Sequence, residues 1–524
     1  MMASERKKEG PGIVSFLLHA HLPYGAGFER QTALEQAWLY EAVTDCYLPL
    51  LSLIGHLEDR RAPWLTISLS PTLLELWGHP EFPERYRTHL ERGLRVIHSE
   101  SNNPRHPEER RRLAPYLGSR WKQARERFDS IAGKLPAAFG RLAESGKIEL
   151  ITTAATHPFL PAFQNDPRFR NFQIGNGIET FKAHTGISPK GFWLPECAYF
   201  DGLEKDLARF GIEYFGLETL GLTRATPGAS IRQPLACPNG LLALGRDNQL
   251  SQKVWSARSG YPGHRSYREF HHDGIHQVDT ETCGDFALPD GGRLPLGLKY
   301  WRVSGKVQKD WYAPLQAKRQ AKKDAEDFIR EIGKVGEGLV FLPFDAELFG
   351  HWWYEGPEWL AKVLQSANGL PGLSLQSAHR AAIAFEAPPQ GRPAASTWGR
   401  KSDYSFWVNR ETDWIYALLF RCSRDLGALV EKYGCAGGRT KRGRAIRQAG
   451  RELILASASD WPFMLRAGAT GAYAKERIDR HIKRFHFLVQ SIRENNLEWE
   501  DLKLLEQLNP AFKEISLEAY AKHF

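Results

Sequence analysis

What the 524-residue chain lacks narrows its function first. Its six cysteines (Cys46, Cys197, Cys237, Cys283, Cys422, Cys435) form no CxxC and no paired spacing. That argues against a zinc ribbon and against a secreted disulfide framework. No stretch approaches the roughly eighteen apolar residues that a transmembrane helix needs. The start, MMASERKKEGPG, is charged and then Gly/Pro-rich, with no apolar run after it. A cytoplasmic address without a signal peptide is therefore expected. There is no Gly-rich phosphate loop, no GxSxG elbow, no internal repeat and no low-complexity tract, which removes the usual nucleotide-binding and serine-hydrolase readings.

Aromatic residues are abundant, at 12% with 16 Trp, which suits planar ligands or sugars. The net charge is +9, but the basic residues are scattered. Their one local run, Arg439 to Arg451, reads as a solvated helix face, so neither nucleic acid nor membrane is expected as a partner. The length allows one large domain with smaller ones attached.

The most informative stretch is FLPFDAELFGHWWYEG, Phe341 to Gly356. Leu339 to Leu342 reads as a buried strand; the chain then turns polar at Asp345-Ala346-Glu347 and ends in aromatics. A carboxylate at a strand end, followed by tryptophans, fits the active-site edge of a parallel barrel and the chemistry of sugars. A capped strand end with aromatics packed as core is the plainer alternative.

Upstream, IVSFLL (Ile13 to Leu18) is a strand ending in His19 and His21, which point the same way in an extended segment. That pair suits a metal, a polar ligand or buried structural imidazoles. Leu34 to Leu53 reads as an amphipathic helix and Leu65 to Leu69 as a second strand. A helical excursion over 79–134 interrupts the alternation. Ile148 to Ile151 resumes it and leads to His157; Phe192 to Leu194 leads to Glu196, and Tyr214 to Glu218 is a further strand. Residues 228–292 read as a long, aperiodic lid or binding loop, or else as a small subdomain. Leu298 to Val303 reads as a strand carrying Trp301, and Trp311 to Lys334 as a helix. Beyond about residue 388 only helices are expected: Trp414 to Tyr433, Arg442 to Ala456, Tyr473 to Glu494 and Leu502 to Tyr520. Ser457 to Phe463, with Asp460 and Trp461, either reaches back to the cleft or simply ends one helix and starts the next.

Strands alternating with helices, with polar residues just after strand ends, predict an α/β parallel barrel on which His19, His21, His157, Glu196, Glu218 and Asp345 converge. Two chemistries fit. Retaining glycoside chemistry needs two carboxyl groups roughly 5 Å apart. Glu196 and Asp345 are the best pair, with Glu347 as a substitute for Asp345. A metal-dependent hydrolase would instead use His19, His21, His157 and Asp345 as ligands.

Five ordered motifs then add a resemblance: HAHLPY (His19 to Tyr24), ATHPFLP (Ala155 to Pro161), WLPECAY (Trp193 to Tyr199), FDAELFGHWWYEGP (Phe344 to Pro357) and SDWPF (Ser459 to Phe463). The chain resembles glycoside hydrolase family 57, and within it the members that branch 1,4-α-glucans. The resemblance implies an incomplete (β/α)7 barrel with an inserted helical subdomain and a C-terminal all-helical domain, divided as 1–388 and 389–524. It implies Glu196 as nucleophile and Asp345 as general acid/base, with no cofactor and no catalytic metal. His19, His21 and His157 become ligands to hydroxyls and carboxylates. Trp301, Trp398 and Trp407 match the family's glucan-stacking tryptophans, and Asp460 and Trp461 lie in its last motif. VWSARSGYPG (Val254 to Gly263) resembles the family's mobile loop, with Tyr261 as its covering tyrosine. The implied partner is an α-1,4-glucan such as amylose or glycogen; the implied activity cleaves α-1,4 bonds and forms α-1,6 branches. An α-amylase or 4-α-glucanotransferase on the same scaffold is the near alternative. Nothing in the sequence indicates an oligomeric state.

Overall fold

A computed structural model describes residues 12–25, 32–59, 63–277, 286, 293, 295–305, 309–435, 440–468 and 470–522. The charged start, Cys283, Arg439 and the far part of the expected lid (278–285 and 287–292) lie outside the described residues.

The centre is β1 (Gly12–Ala20), GIVSFLLHA, buried at every position. A strand covered on both faces reads as a continuous apolar run rather than an alternation. β8 (Leu339–Asp345) runs parallel along one edge of β1. The other edge is shared by β9 (Leu373–Leu375) near the start of β1 and by β2 (Leu65–Leu69) near its end, both parallel. The register sets His19 opposite Ser68 of β2 and opposite Asp345 of β8. Three polar side chains thus leave the sheet at one level. β3 (Ile148–Ile151) pairs with β2.

A second sheet holds β4 (Gly191–Phe192), β5 (Tyr214–Leu217), β6 (Leu235–Ala236) and β7 (Leu242–Gly245) in the order β4-β5-β7-β6. Only β6 is antiparallel. Single parallel bridges, Thr152 with Phe192 and Arg246 with Phe341, link it to β3 and β8.

Four expectations about elements need correction. The 34–53 helix is real but broken: Ala33–Ala42 and Leu48–Gly55 flank a π-helical turn, Val43–Tyr47. The inserted residue re-aims the turn. Cys46 Sγ then reaches the Ala346 carbonyl, and Tyr47 Oη reaches Glu347, both just after β8. Gly350 meets the same turn: its φ is +114°, and a Cβ there would lie 1.7 Å from the Asp45 carbonyl oxygen. Residues 228–292 are not one loop, because they contain β6, β7 and the helix Asn248–Trp255. Those strands are too short to show a period. Leu298 to Val303 joins neither sheet; only isolated bridges, Arg268 with Arg302 and Trp301 with Trp311, hold it. The tail helix, expected over Leu502 to Tyr520, is two pieces, Trp499–Leu508 and Glu518–Ala521, the first ending two residues before Pro510. Proline has no N–H to continue a ladder.

The helical excursion forms a hairpin, Phe82–Asn102 and Glu108–Ser130. Its buried Glu100 accepts from Arg110 Nε at 2.5 Å and from Tyr300 Oη at 3.1 Å, tying the hairpin to the segment before β8. Toward the C-terminus the chain is helical: Asp413–Tyr433, Lys441–Ala456, Asp460–Ala467 and Gly471–Glu494 precede the two tail pieces. The basic run is not simply a solvated face. Arg444 pairs with Glu506, and buried Arg451 donates to Gln448 Oε1 and to the Phe512 and Lys513 carbonyls. Among the described residues, no helix is long and apolar enough to cross a membrane.

Candidate active site

Glu196 sits in a short 3-10 turn, Pro195–Cys197, directly after β4. Its backbone is left-handed, with φ 60° and ψ 22°. A non-glycine residue held there costs on the order of 1–3 kcal/mol and persists only where surroundings fix it. The surroundings do so: Thr397 Oγ1 donates to its carbonyl at 2.9 Å, and the Trp398 N–H donates at 3.3 Å. Its carboxylate accepts from Ser459 Oγ at 2.7 Å on Oε1 and from Trp398 Nε1 at 3.1 Å on Oε2. Burial pushes the Glu196 carboxyl up from its usual range, and these two donors pull against that rise.

Asp345 is the last residue of β8. No hydrogen bond from the described residues reaches its carboxyl. Burial, then the charges of Glu347 and Glu196, push it up to about 8, against Arg246 and His21. It is therefore protonated at neutral pH. Glu347 is buried among donors: Tyr47 Oη at 2.5 Å and the His21 N–H at 3.0 Å both reach its Oε1. Burial pushes its carboxyl up and these donors pull against that rise; they lock the side chain in place rather than leave it as a stand-in for Asp345.

The three histidines meet here. His19 Nδ1 lies 3.0 Å from Ser68 Oγ, and its Nε2 lies 3.1 Å from His157 Nε2. His157 Nδ1 lies 3.0 Å from Ser459 Oγ and 3.8 Å from Glu196 Oε1. His21 Nε2 pairs with Asp460 Oδ2 at 3.1 Å. Burial, then the charge on His21, holds His19 and the basicity of His157 well below the ordinary imidazole range. Burial also opposes a charge on His21, but Asp460, Glu347 and Glu196 outweigh it and raise its pKa.

His21, His157 and Asp460 offer ligand atoms within 4.8 Å of one another. The His21 and His157 rings are stacked, however, with centroids 4.3 Å apart and 25° between planes. In-plane lone pairs of stacked rings run side by side instead of meeting at one ion. Of the other two expected ligands, His19 has both nitrogens engaged by Ser68 and His157, and Asp345 is not in this group. The geometry suits a hydrogen-bonded histidine cluster better than a metal site.

The remaining expected residues scatter. Trp398 is at the centre, packed on Trp193 with its indole N–H on Glu196. Trp301 is half-buried and stacked on Trp311 at 4.3 Å. Trp407 is 2% exposed and stacks on Phe159, and Trp461 is fully buried with its N–H on the Leu455 carbonyl. Both are core residues, so neither presents a face to a sugar here. Tyr261 is not brought to the carboxylates: it sits in a 3-10 turn, Tyr261–Gly263, packs on Phe328 and Trp359, and donates to Asp327. Buried Glu218 lies 3.6 Å from Arg246. The segment Ser457 to Phe463 does reach back to the cleft, through Ser459 and Asp460, although sequence reasoning gave Ser459, Ser68 and Tyr47 no role of their own. Ser68 carried a usable signal, since it ends a strand in register with His19; the others depend on tertiary packing.

Two carboxyl groups of opposite character, one donor-held and one protonated, at parallel-strand ends of an α/β fold define an enzyme of glycoside chemistry. The chain belongs to glycosyl hydrolase family 57, which it matches over residues 15–379. Residues 419–520 match the family described as 1,4-alpha-glucan branching enzyme, C-terminal. A 1,4-alpha-glucan branching enzyme of Thermococcus kodakarensis is 30% identical, over 95% of this chain and 76% of its own length. Among solved structures, the alpha-amylase AmyC of Thermotoga maritima superposes with a TM-score of 0.90 at 32% identity, covering 98% of this chain and 100% of that one. The GH57-type branching enzyme of Pyrococcus horikoshii superposes with a TM-score of 0.85 at 29% identity, covering 98% and 97%.

Proposed function

We propose that this chain is a 1,4-α-glucan branching enzyme acting by retaining transglycosylation on amylose- or glycogen-like chains. The contrast between Glu196 and Asp345 carries the chemistry. Glu196, a carboxylate held by two donors, attacks the anomeric carbon. Asp345, protonated near neutrality, gives its proton to the departing 4-oxygen. The bound chain is then a glycosyl ester of Glu196, and Asp345 is a carboxylate. It takes the proton of an acceptor's 6-hydroxyl as that oxygen attacks the ester, which forms the α-1,6 bond and restores both groups. The match of residues 419–520 to the branching-enzyme C-terminal family favours transfer to a glucan over transfer to water. His19, His21, His157 and Asp460 serve as polar contacts around the sugar, with Trp398 beside the nucleophile and Trp301 at the rim.

A finer fold accompanies this reading. β1, β2, β3, β4, β5, β7 and β8 follow one another through pairings and the two single bridges, which supports an incomplete (β/α)7 barrel. The catalytic domain then spans 1–388, with the insertion near 79–134 and the elaborated stretch 228–292, and the helical domain spans 389–524. The five described cysteines form no disulfide, which suits a cytoplasmic enzyme of glycogen synthesis. An α-amylase is the second reading, favoured by the likeness to AmyC.

Proton NMR of amylose treated with the protein, with a reducing-end assay on the same sample, tests the proposal. New α-1,6 anomeric signal with few new reducing ends is expected. Many reducing ends without α-1,6 signal would make the enzyme an amylase.

A further inference from the structure

We infer that Ser459 is a positioning residue for the nucleophile, the last donor of a one-way hydrogen-bond chain running Ser68 to His19 to His157 to Ser459 to Glu196. The inference rests on the reading of Glu196 as nucleophile.

The direction follows from counting protons. Ser459 has one hydroxyl proton, and the Glu196 carboxylate, 2.7 Å away, can only accept it. Ser459 Oγ must then accept from His157 Nδ1, 3.0 Å away on its other side. A neutral imidazole with its proton on Nδ1 has a bare Nε2. That atom faces His19 Nε2 at 3.1 Å, so His19 must carry its proton on Nε2. His19 Nδ1 is then bare and accepts from Ser68 Oγ at 3.0 Å. Ser68, His19, His157 and Ser459 are all at most 3% exposed, so water does not scramble the order. Opposite tautomers on two adjacent histidines are the signature of this chain.

The backbone holds the same contact. The Ser459 N–H donates to the His157 carbonyl at 3.0 Å, and Pro158 and Ala458 form an antiparallel bridge beside it. His157 is itself left-handed, with φ 55°. Ser459 and His157 therefore exchange two hydrogen bonds, one through backbone and one through side chains. The residue pair joins the end of the strand region after β3 to the turn between the helices Lys441–Ala456 and Asp460–Ala467.

With the chain intact, Glu196 Oε1 is offered a donor at all times. Ser459→Ala removes it and leaves Oε1 bare in a buried site. A hydrogen bond to a charged group is worth enough to change a rate by about ten- to hundred-fold. The acid limb of the rate profile belongs to Glu196 in the company of the groups that face it: Cys197 beside it, His157 after β3, His21 after β1, Asp345 at the end of β8, and Tyr416 and Asp460 from the C-terminal helices.

The test uses the full-length protein with 15N-labelled histidine, assigned through His19→Gln and His157→Gln. At neutral pH, His157 is expected with a pyrrole-type Nδ1 and a pyridine-type Nε2, and His19 with the reverse. His157 protonated on Nε2, or both rings charged, would overturn the chain. Because the order is set from the Glu196 end, Ser68→Ala should leave both tautomers in place, whereas Ser459→Ala should blur that of His157; a His157 tautomer unchanged in Ser459→Ala also counts against the proposal. In steady-state kinetics, Ser459→Ala should lower kcat about ten- to hundred-fold with little change in KM. It should also move the acid limb of kcat/KM to higher pH, and Ser459→Thr should restore both. A Ser459→Ala enzyme with unchanged kcat and acid limb refutes the positioning role. Retained activity in Glu196→Gln would instead refute the nucleophile assignment, and the tautomer result would stand apart from it.

Discussion

The turn after β4 and the end of β8 each deliver one carboxyl group to the same buried site, and they treat it in opposite ways. Glu196 is surrounded by donors from Ser459 and Trp398 and fixed by a left-handed backbone. Asp345 ends an ordinary strand, receives no donor from the described residues, and faces Glu347 and Glu196. Donors favour the charged form, whereas burial beside like charge favours the neutral one. On the proposed roles, the fold makes a nucleophile and an acid from the same functional group by deciding which one is hydrogen-bonded.

The contrast breaks most completely at the carboxyls themselves. Glu196→Gln and Asp345→Asn are each expected to lower kcat on glucan by about 10⁴-fold or more. They should separate on an α-maltosyl fluoride, whose fluoride leaves without protonation: Asp345→Asn keeps the first step, seen as fluoride release, and Glu196→Gln does not. Equal loss in both would mean the roles are not divided this way. Next in size, Trp398→Phe removes the donor on Oε2 and is expected to cost roughly ten-fold in kcat. An unaffected rate would show that the second donor does not matter.

The alkaline limb of kcat/KM sharpens the comparison further. It should fall near pH 8, where Asp345 loses its proton. Glu347→Gln removes the largest like charge acting on Asp345 and should move that limb to lower pH. A limb that stays in place would assign it to another group.

A separate effect is on stability. The Asp345 carboxyl has a folded-state pKa of about 8 against an ordinary 3.8, so the folded chain holds a proton that the unfolded chain releases between those values. Rising pH therefore favours unfolding across that window. Asp345→Asn does not titrate. Its Tm should exceed that of the parent by a margin that opens above pH 4 and is complete by about pH 8. A constant margin across that range would refute the shift.

Legibility in the sequence followed the same division. Asp345 was visible because a long apolar strand announces its own end, and β1 and β2 were found for that reason. β4 is only two residues long, yet the apolar run Phe192 to Leu194 was enough to mark Glu196 as a carboxylate at a strand end, and the WLPECAY motif then added its expected role as nucleophile. β6 and β7 were hidden inside a stretch read as loop, since two and four residues show no period. The tryptophans misled in part. The family resemblance ranks Trp407 with Trp398 as a glucan-stacking residue and places Trp461 in its last motif, and only packing shows that Trp407 and Trp461 fill the core. The partners of the carboxyls were least legible. Ser459 lies 263 residues beyond Glu196, and no local pattern encodes a contact at that separation.

That separation also sets a timetable for synthesis. A growing polypeptide that has emerged through residue 379 contains both carboxyl groups, yet neither Ser459 nor Asp460 has been made. On the proposed roles, the hydroxyl partner of Glu196 and the anionic partner of His21 arrive only with the last helices, so a prematurely ended chain would hold both carboxyl groups without the side chains that fix and surround them.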